Sequence, residues 1–345
     1  MLTNRRIDLH LPSGWAACTP EELEAIVSAQ SAVQFFAMPA QHEEEVQLKQ
    51  APWKIECFLR LAELVMVDGP NPEVPVEEQY ITVQHINTKT QGWTWLRRKT
   101  EQNEPFVLYL WQIHYWIDKQ LKWLDAKPTI PTFPYPVWKN SFRTFHGPKT
   151  YLANWKWAQY RIAQDYLQYY FKVVEMVQKR LPFSKTKEEQ QKLVQQLRTA
   201  KALFLATIYC RKVKTIDEET GLKKREYTYL ANQSSDNSRY FQSFPDIQFQ
   251  VILLWWTSTM QRLHTLYPKC FQADNTDKKK KKTKRQQDPL ELYAQLTATL
   301  EKYIGTNEQE LDKRTFEVVL RHLNSMVLEN EAMKKINRKN KSKSK

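Results

Sequence analysis

Glycine is scarce in this chain, with 6 residues in 345. Glycine is the residue that enters left-handed backbone without steric cost. Its shortage disfavours turn-rich β-barrels and glycine-rich phosphate loops, and it favours helices. Cysteine is sparse too. Cys18, Cys57, Cys210 and Cys270 lie far apart and form no CxxC pair. That spacing argues against a disulfide framework or a zinc site and for reduced thiols. Long apolar runs are missing. The longest strongly apolar run, residues 251–256, has six residues, where a membrane span needs about 20. The opening MLTNRRIDLHLPSGW lacks the apolar stretch of a signal peptide. The expectation is a cytoplasmic protein with no membrane partner.

Catalytic motifs are also lacking. There is no Walker A, GxGxxG, HExxH or GxSxG sequence. The seven histidines, His10, His42, His85, His114, His146, His264 and His322, show no metal-ligand spacing. His114, on an aromatic helical segment, reads as a core histidine with one hydrogen bond. The run Glu43, Glu44, Glu45 reads as a solvated face or loop rather than an acid/base couple. No catalytic residue, metal ligand or cofactor is expected, and the reading is non-enzymatic. A site assembled only in space is the third and weakest alternative.

What the chain does have is aromatic residues and a misleading charge. Aromatics make up 12% of it, with 12 Trp and 16 Tyr. They serve equally as core fillers and as interface anchors. The net charge of +14 resembles a nucleic-acid signal. However, Lys278, Lys279, Lys280, Lys281, Lys282, Lys284 and Arg285 supply seven cations, and residues 334–345 supply seven more. Without these two segments, 38 basic residues face 38 acidic ones. The body is formally neutral, and the excess sits in segments that read as solvated linker and tail. The 278–285 run is the candidate contact for phosphates or an acidic partner, weak and without sequence specificity. Trp93, Trp95, Arg97, Arg98 and Lys99 interleave aromatics and cations, as a stacking platform does. The preferred reading of these residues is a hairpin with one face in the core and its cations on the edge.

The pattern predicts a mainly α protein with two short β-hairpin elements and a C-terminal helical appendage. A short strand is expected over residues 6–12. Thr19, Pro20 and Glu22 form a capping box with Pro at the first helical position, opening a helix to about residue 32. Residues 39–50 read as a polar loop and 53–67 as an apolar helix, ended by the Asp68-Gly69-Pro70 break. Residues 80–83 and 93–96 read as one hairpin. A helix is expected over 106–124, then a proline-rich crossing segment to 138. The central element is a long amphipathic helix from Trp155 to Leu181, capped by Asn154 after a Gly147-Pro148 turn. Its apolar face is read as Trp155, Ile162, Tyr166, Tyr169, Val173 and Val177. A helix capped by Thr186 and Glu189 runs to about 209. A second hairpin falls within 211–230, and a strongly apolar helix within 243–266. Residues 1–273 form the body, 274–287 a basic linker, 288–336 a helical pair and 337–345 a disordered basic tail. The second helix of the pair starts after Thr306 and carries a stripe of Leu311, Phe316, Val319, Leu323 and Val327. Two helices cannot enclose a core alone, so this stripe must dock on the body or on another chain. It is the candidate protein interface.

Two segments carry a family resemblance. IDLHLPSGWAACTPEELEAIV and FHGPKTYLANWKWAQYRIAQDYL resemble uncharacterised proteins encoded among tail genes of prophages of Bacteroides-type bacteria. In the second segment Gly147, Pro148, Leu152, Asn154, Gln159, Tyr160, Ala163 and Tyr166 match, while Trp157 stands where a small residue is usual. Residues 208–211 and 266–271 fit loosely. The resemblance implies a helical phage protein of tail assembly or structure, in the cytoplasm of a bacterial host or incorporated in the virion. Its partners would be other tail proteins, such as the tape measure or tube protein. No functional residue carries over with it. The alternative is a nucleic-acid-binding accessory protein using the basic segments and exposed aromatics. The oligomeric state is left open.

Overall fold

The computed structural model describes residues 11–36, 43–71, 73–75, 78–85, 105–140, 143–184, 186–216, 223–228, 233–268, 303, 305 and 307–343. Helix accounts for 67% of the interpretable residues, so the class is mainly α with minor β, as expected. The chain divides into two compact units. One comprises Met1–Ile130 with Asp246–Trp255, the other Pro131–Pro245 with Trp256–Lys345. The division therefore does not follow the expected boundary at residues 273–274.

In the first unit, α1 (Pro20–Phe36) opens on the expected capping box. Glu22 N donates to Thr19 Oγ1 at 3.2 Å, and Thr19 N donates to Glu22 Oε2 at 2.6 Å. The expected loop over 39–50 is corrected from residue 43 onward. Helix α2 (Glu43–Leu61) runs through it, with Pro52 inside. The Glu, Gln, Leu and Lys residues there are good helix formers, and their polarity disguised the helix as a loop. The helix expected over 53–67 is corrected at its other end. It stops at Leu61; Glu63 takes a left-handed φ of 54°, and β1 (Leu64–Asp68) follows. β2 (Tyr80–His85) lies between β1 and β3 (Phe106–Tyr109), antiparallel to both. Thr82 and Val83 thus have partners on both sides. The strand expected over 93–96 is not needed as their neighbour, and it lies outside the described residues. The first turn of the expected 106–124 helix is strand β3. Helix α3 (Leu110–Gln120) and a 3-10 turn (Lys122–Asp125) complete that segment. The core gathers Leu23, Ile26, Phe58, Ile81, Val83, Ile113 and Ile117. Trp15 and Trp123 pack edge to face at 5.1 Å. Each indole also donates across to the other's segment, to Ala126 O and Pro12 O. Of the expected first strand, residues 6–10 lie outside the described residues, and Leu11 and Pro12 are irregular.

The second unit is built on α4 (Trp157–Arg180) and α5 (Lys187–Ile208), an antiparallel pair. β4 (Val137–Asn140) and β5 (Arg143–His146) form a hairpin that the proline-rich reading did not anticipate. β6 (Arg211–Ile216) pairs with β7 (Lys223–Thr228), the expected second hairpin. His146 and Cys210 exchange two backbone hydrogen bonds of 2.8 Å, linking β5 to the start of β6. Next come α6 (Gln233–Ser238) and α7 (Asp246–Leu266), which begins after Phe244-Pro245 as predicted and of which Asp246–Trp255 belong to the first unit. α8 (Glu308–Lys313) and α9 (Phe316–Lys343) end the described chain. The single helix expected after Thr306 is therefore two. Asn307 caps the first, accepting from Glu310 N at 2.9 Å. α9 continues to Lys343 rather than giving way to a disordered tail at 337. Once its first turns are packed, propagation is cheap, and Lys and Arg suit a helical C-terminus.

The buried stripe of α4 is Trp157, Tyr160, Ala163, Leu167, Val173 and Val177. The expected stripe agrees in the second half and is rotated in the first. Ile162 and Tyr166 are half-buried and Tyr169 is exposed. Trp157, Tyr160, Trp155, Trp256, Phe204 and Phe316 form one aromatic cluster. In it the Tyr160 and Phe316 centroids lie 4.2 Å apart, and Trp157 stacks on Phe316 at 6.1 Å. A second cluster joins Phe145, Tyr209, Phe241, Phe244 and Trp138.

Candidate functional site

The candidate C-terminal interface is spent within the chain. Leu311, Phe316, Val319 and Leu323 are buried, and Val327 is half-buried. The backbone between α8 and α9 crosses the start of α4. Trp157 N donates to Arg314 O at 3.0 Å, and Phe316 N donates to Trp155 O at 2.9 Å. Arg161 pairs with Asp312 at 2.9 Å beside this crossing. The stripe is core, and the C-terminal helices are an integral layer of the second unit rather than an appendage. The candidate phosphate contacts Lys278, Lys279, Lys280, Lys281, Lys282, Lys284 and Arg285 lie outside the described residues. So do Trp93, Trp95, Arg97, Arg98 and Lys99. His114 is exposed on α3, which corrects its reading as a core histidine.

Three buried polar side chains, Gln159, Lys201 and Tyr209, tie elements together. Gln159 donates to Thr207 O at 2.8 Å and to Cys210 Sγ at 3.3 Å, tying α4 to the end of α5. Lys201, buried on α5, donates to Phe244 O at 2.7 Å. Tyr209 donates to Tyr135 O at 2.9 Å, and burial raises its phenol pKa. Burial also pushes the Cys18, Cys57 and Cys210 thiols up to about 12, which keeps them protonated and weakly nucleophilic at neutral pH. Among the described residues, no group of three His, Cys, Asp or Glu side chains could hold a metal ion. No described helix is long and apolar enough to cross a membrane.

The loop before α4 is strained and braced. Tyr151 and Leu152 both take left-handed φ, 52° and 63°. Such a conformation costs a non-glycine residue roughly 1–2 kcal/mol. Arg262 lies 3.8 Å above the Tyr151 ring and donates to its hydroxyl at 3.1 Å. Asn154 was expected to cap α4. Instead its Oδ1 accepts from Lys149 N at 2.8 Å and closes this loop, and Lys156 occupies the cap position. A cavity of about 380 Å³ beside the loop is lined by Phe133, Pro136, Pro148, Lys149 and Thr150 among others, with no carboxylate or histidine.

Among the described residues, the far end of the α4–α5 pair carries apolar side chains, cations and grooves together. The apolar cluster there consists of Val173, Val177, Leu193 and Ala200, with Tyr170, Met176 and Leu197 against it. All seven come from these two helices. From Lys187 to Gln195, Leu193 is the one buried side chain. The pair thus ends as a two-helix finger closed by its own seam. Thr186 Oγ1 accepts from Glu189 N at 3.2 Å and fixes the start of α5, as the capping box predicted. The turn joining the helices exposes Leu181 and Phe183, and Phe183 is 81% exposed. Two grooves flank Lys179 and Arg180. The larger, about 420 Å³, adds Phe183, Glu189, Lys192 and Leu193; the smaller, about 320 Å³, adds Lys172, Glu175 and Met176. Glu175 accepts from Lys179 at 2.6 Å, and this bond and the Lys179 charge hold its carboxyl below the usual range. Sequence reasoning treated Leu181-Pro182 as a helix stop and passed over Phe183. The available signal was an aromatic placed in a tight, cation-rich turn with no apolar repeat to bury it.

No family model, curated protein or solved structure matches the chain.

Proposed function

We propose that this chain is a non-enzymatic, protein-binding component of a phage tail assembly, and that it docks its partner on the α4–α5 finger. The observation that carries the docking surface is Phe183, a large aromatic left 81% exposed at the head of a groove. Leu181 beside it is exposed as well, and aromatic residues are enriched where proteins meet. The tail assignment rests on the resemblance of the 145–167 segment to tail-region proteins. The tape measure and tube proteins are the partners it suggests. The test is co-expression of the full chain with each tail protein, followed by affinity purification. The wild-type chain should retain one of them in fixed stoichiometry, and F183A should lose it. Absence of every tail component from the purified material would sink the reading.

One observation favours nucleic acid as a second reading. α9 extends as regular helix to Lys343, and residues 334–343 include six cations and no acid. Phosphate binding by such a segment releases counterions and weakens steeply with salt. The accessory-protein reading expects salt-sensitive retention on DNA or RNA that survives deletion of 278–285 and 334–345. Loss of retention on deletion confines binding to the basic segments and removes specific recognition by the body.

A further inference from the structure

We infer that the finger groove accepts an acidic amphipathic helix, which completes the α4–α5 pair as a three-helix coil. This rests on the docking surface proposed above and names the chemistry of its occupant. Two antiparallel helices share one seam, and a third helix can lie along it with its own apolar residues inserted. The groove floor supplies apolar footing: Met176 in the smaller cavity, Leu193 and Phe183 in the larger.

The rim supplies the charge preference. Lys172, Lys179, Arg180 and Lys192 line the two cavities against Glu175 and Glu189. Across residues 172–196 the chain has six cations and three carboxylates. Glu175 already holds Lys179, which leaves Lys172, Arg180 and Lys192 to face the occupant. These positions flank an apolar seam, as charged e and g residues flank the seam of a coiled coil and select a partner of opposite sign. The interspersed Glu175 and Glu189 disfavour a phosphate backbone, whose charges are uniform and closely spaced. A helix can space its carboxylates around them. At about 1.5 Å rise per residue, the distal turns of α4 and α5 fit a helix of roughly 10–14 residues.

The experiment uses the full chain and fluorescence anisotropy with two labelled peptides. Both have two heptads with Ile and Leu at the a and d positions; one carries Glu at e and g, the other Lys. Wild-type protein should bind the Glu peptide saturably and at least tenfold more tightly than the Lys peptide. R180E/K192E should reverse that order, and F183A should weaken Glu-peptide binding at least fivefold. All three side chains are exposed, and circular dichroism of each variant should overlay the wild type. Equal affinity for both peptides, absence of saturable Glu-peptide binding, or variants that bind as wild type would overturn the inference. Retention of a labelled single-stranded DNA oligomer that R180E/K192E abolishes, with no Glu-peptide binding, would replace it with a nucleic-acid groove. Peptide failure with F183-dependent tail-protein co-purification intact would overturn the partner chemistry and leave the docking surface standing.

Discussion

Gly147 has no room for a side chain, because a Cβ there would run into the Phe133 ring. The ring is buried and packs edge to face on Tyr209, so it cannot swing into solvent. G147A should therefore destabilise the protein by about 1–3 kcal/mol in urea titration, the usual cost of overpacking a filled core. Cys57 is fully buried and its pKa is pushed up to about 12 by burial. Iodoacetamide at pH 8 should leave Cys57 unmodified in native protein and modify it after denaturation, read by peptide mass spectrometry. Asp165 is half-buried on α4; burial raises its pKa, and the Arg161 charge offsets part of the rise. A carboxyl with a raised folded pKa stabilises below its unfolded pKa and loses that contribution as pH rises through the folded value. D165N should thus melt higher than wild type at pH 7, with the gap narrowing as pH falls below the ordinary aspartate range. At this scale the sequence exposes turns and caps but not neighbours. Nothing near Gly147 in sequence marks Phe133 as the atom it must avoid.

At the scale of elements, local signals were legible and pairing signals were not. The box at Thr19, the N-cap bond at Thr186 and the proline before α7 appear where the sequence puts them, because a cap is decided within four residues. T186A should cost about 1 kcal/mol. It should also speed amide exchange in the first turns of α5 ahead of the rest of the helix, because the finger has only its own seam to resist fraying. Residues 64–67 of β1 and 106–109 of β3 read as helix in the sequence because they adjoin helical segments and are rich in apolar residues. Their pairing with β2 is non-local and outweighs local propensity. The stripe of α4 was rotated in its first half for a related reason. Aromatic content points to Tyr166 and Tyr169, whereas Trp256 and Phe316 pack on Tyr160, and the buried face continues through Ala163 and Leu167.

At the scale of the molecule, the C-terminal helices cap the second unit. Trp157 of α4 stacks on Phe316 of α9. A large ring at that position suits a partner helix packed over it. Ending the chain before Asn307 removes Phe316, Val319, Leu320 and Leu323 from the core. That truncation should abolish cooperative melting of the second unit, whereas ending at Asn337 should leave the melting temperature within about one degree, since the last buried side chain among the described residues of α9 is Met326. A detachable appendage would instead leave the melt unchanged in both cases. The sequence by itself determined the helical class, the capped starts of α1 and α5, the neutral body and the confinement of excess charge to two segments. These depend on composition and on contacts within a turn or two. Only the tertiary structure decided that the C-terminal stripe is core, that two expected helices end or begin as strands, and that Phe183 stays in solvent. Those outcomes depend on which distant surface covers each apolar face. Periodicity records that such a face exists, and only packing determines which surface covers it.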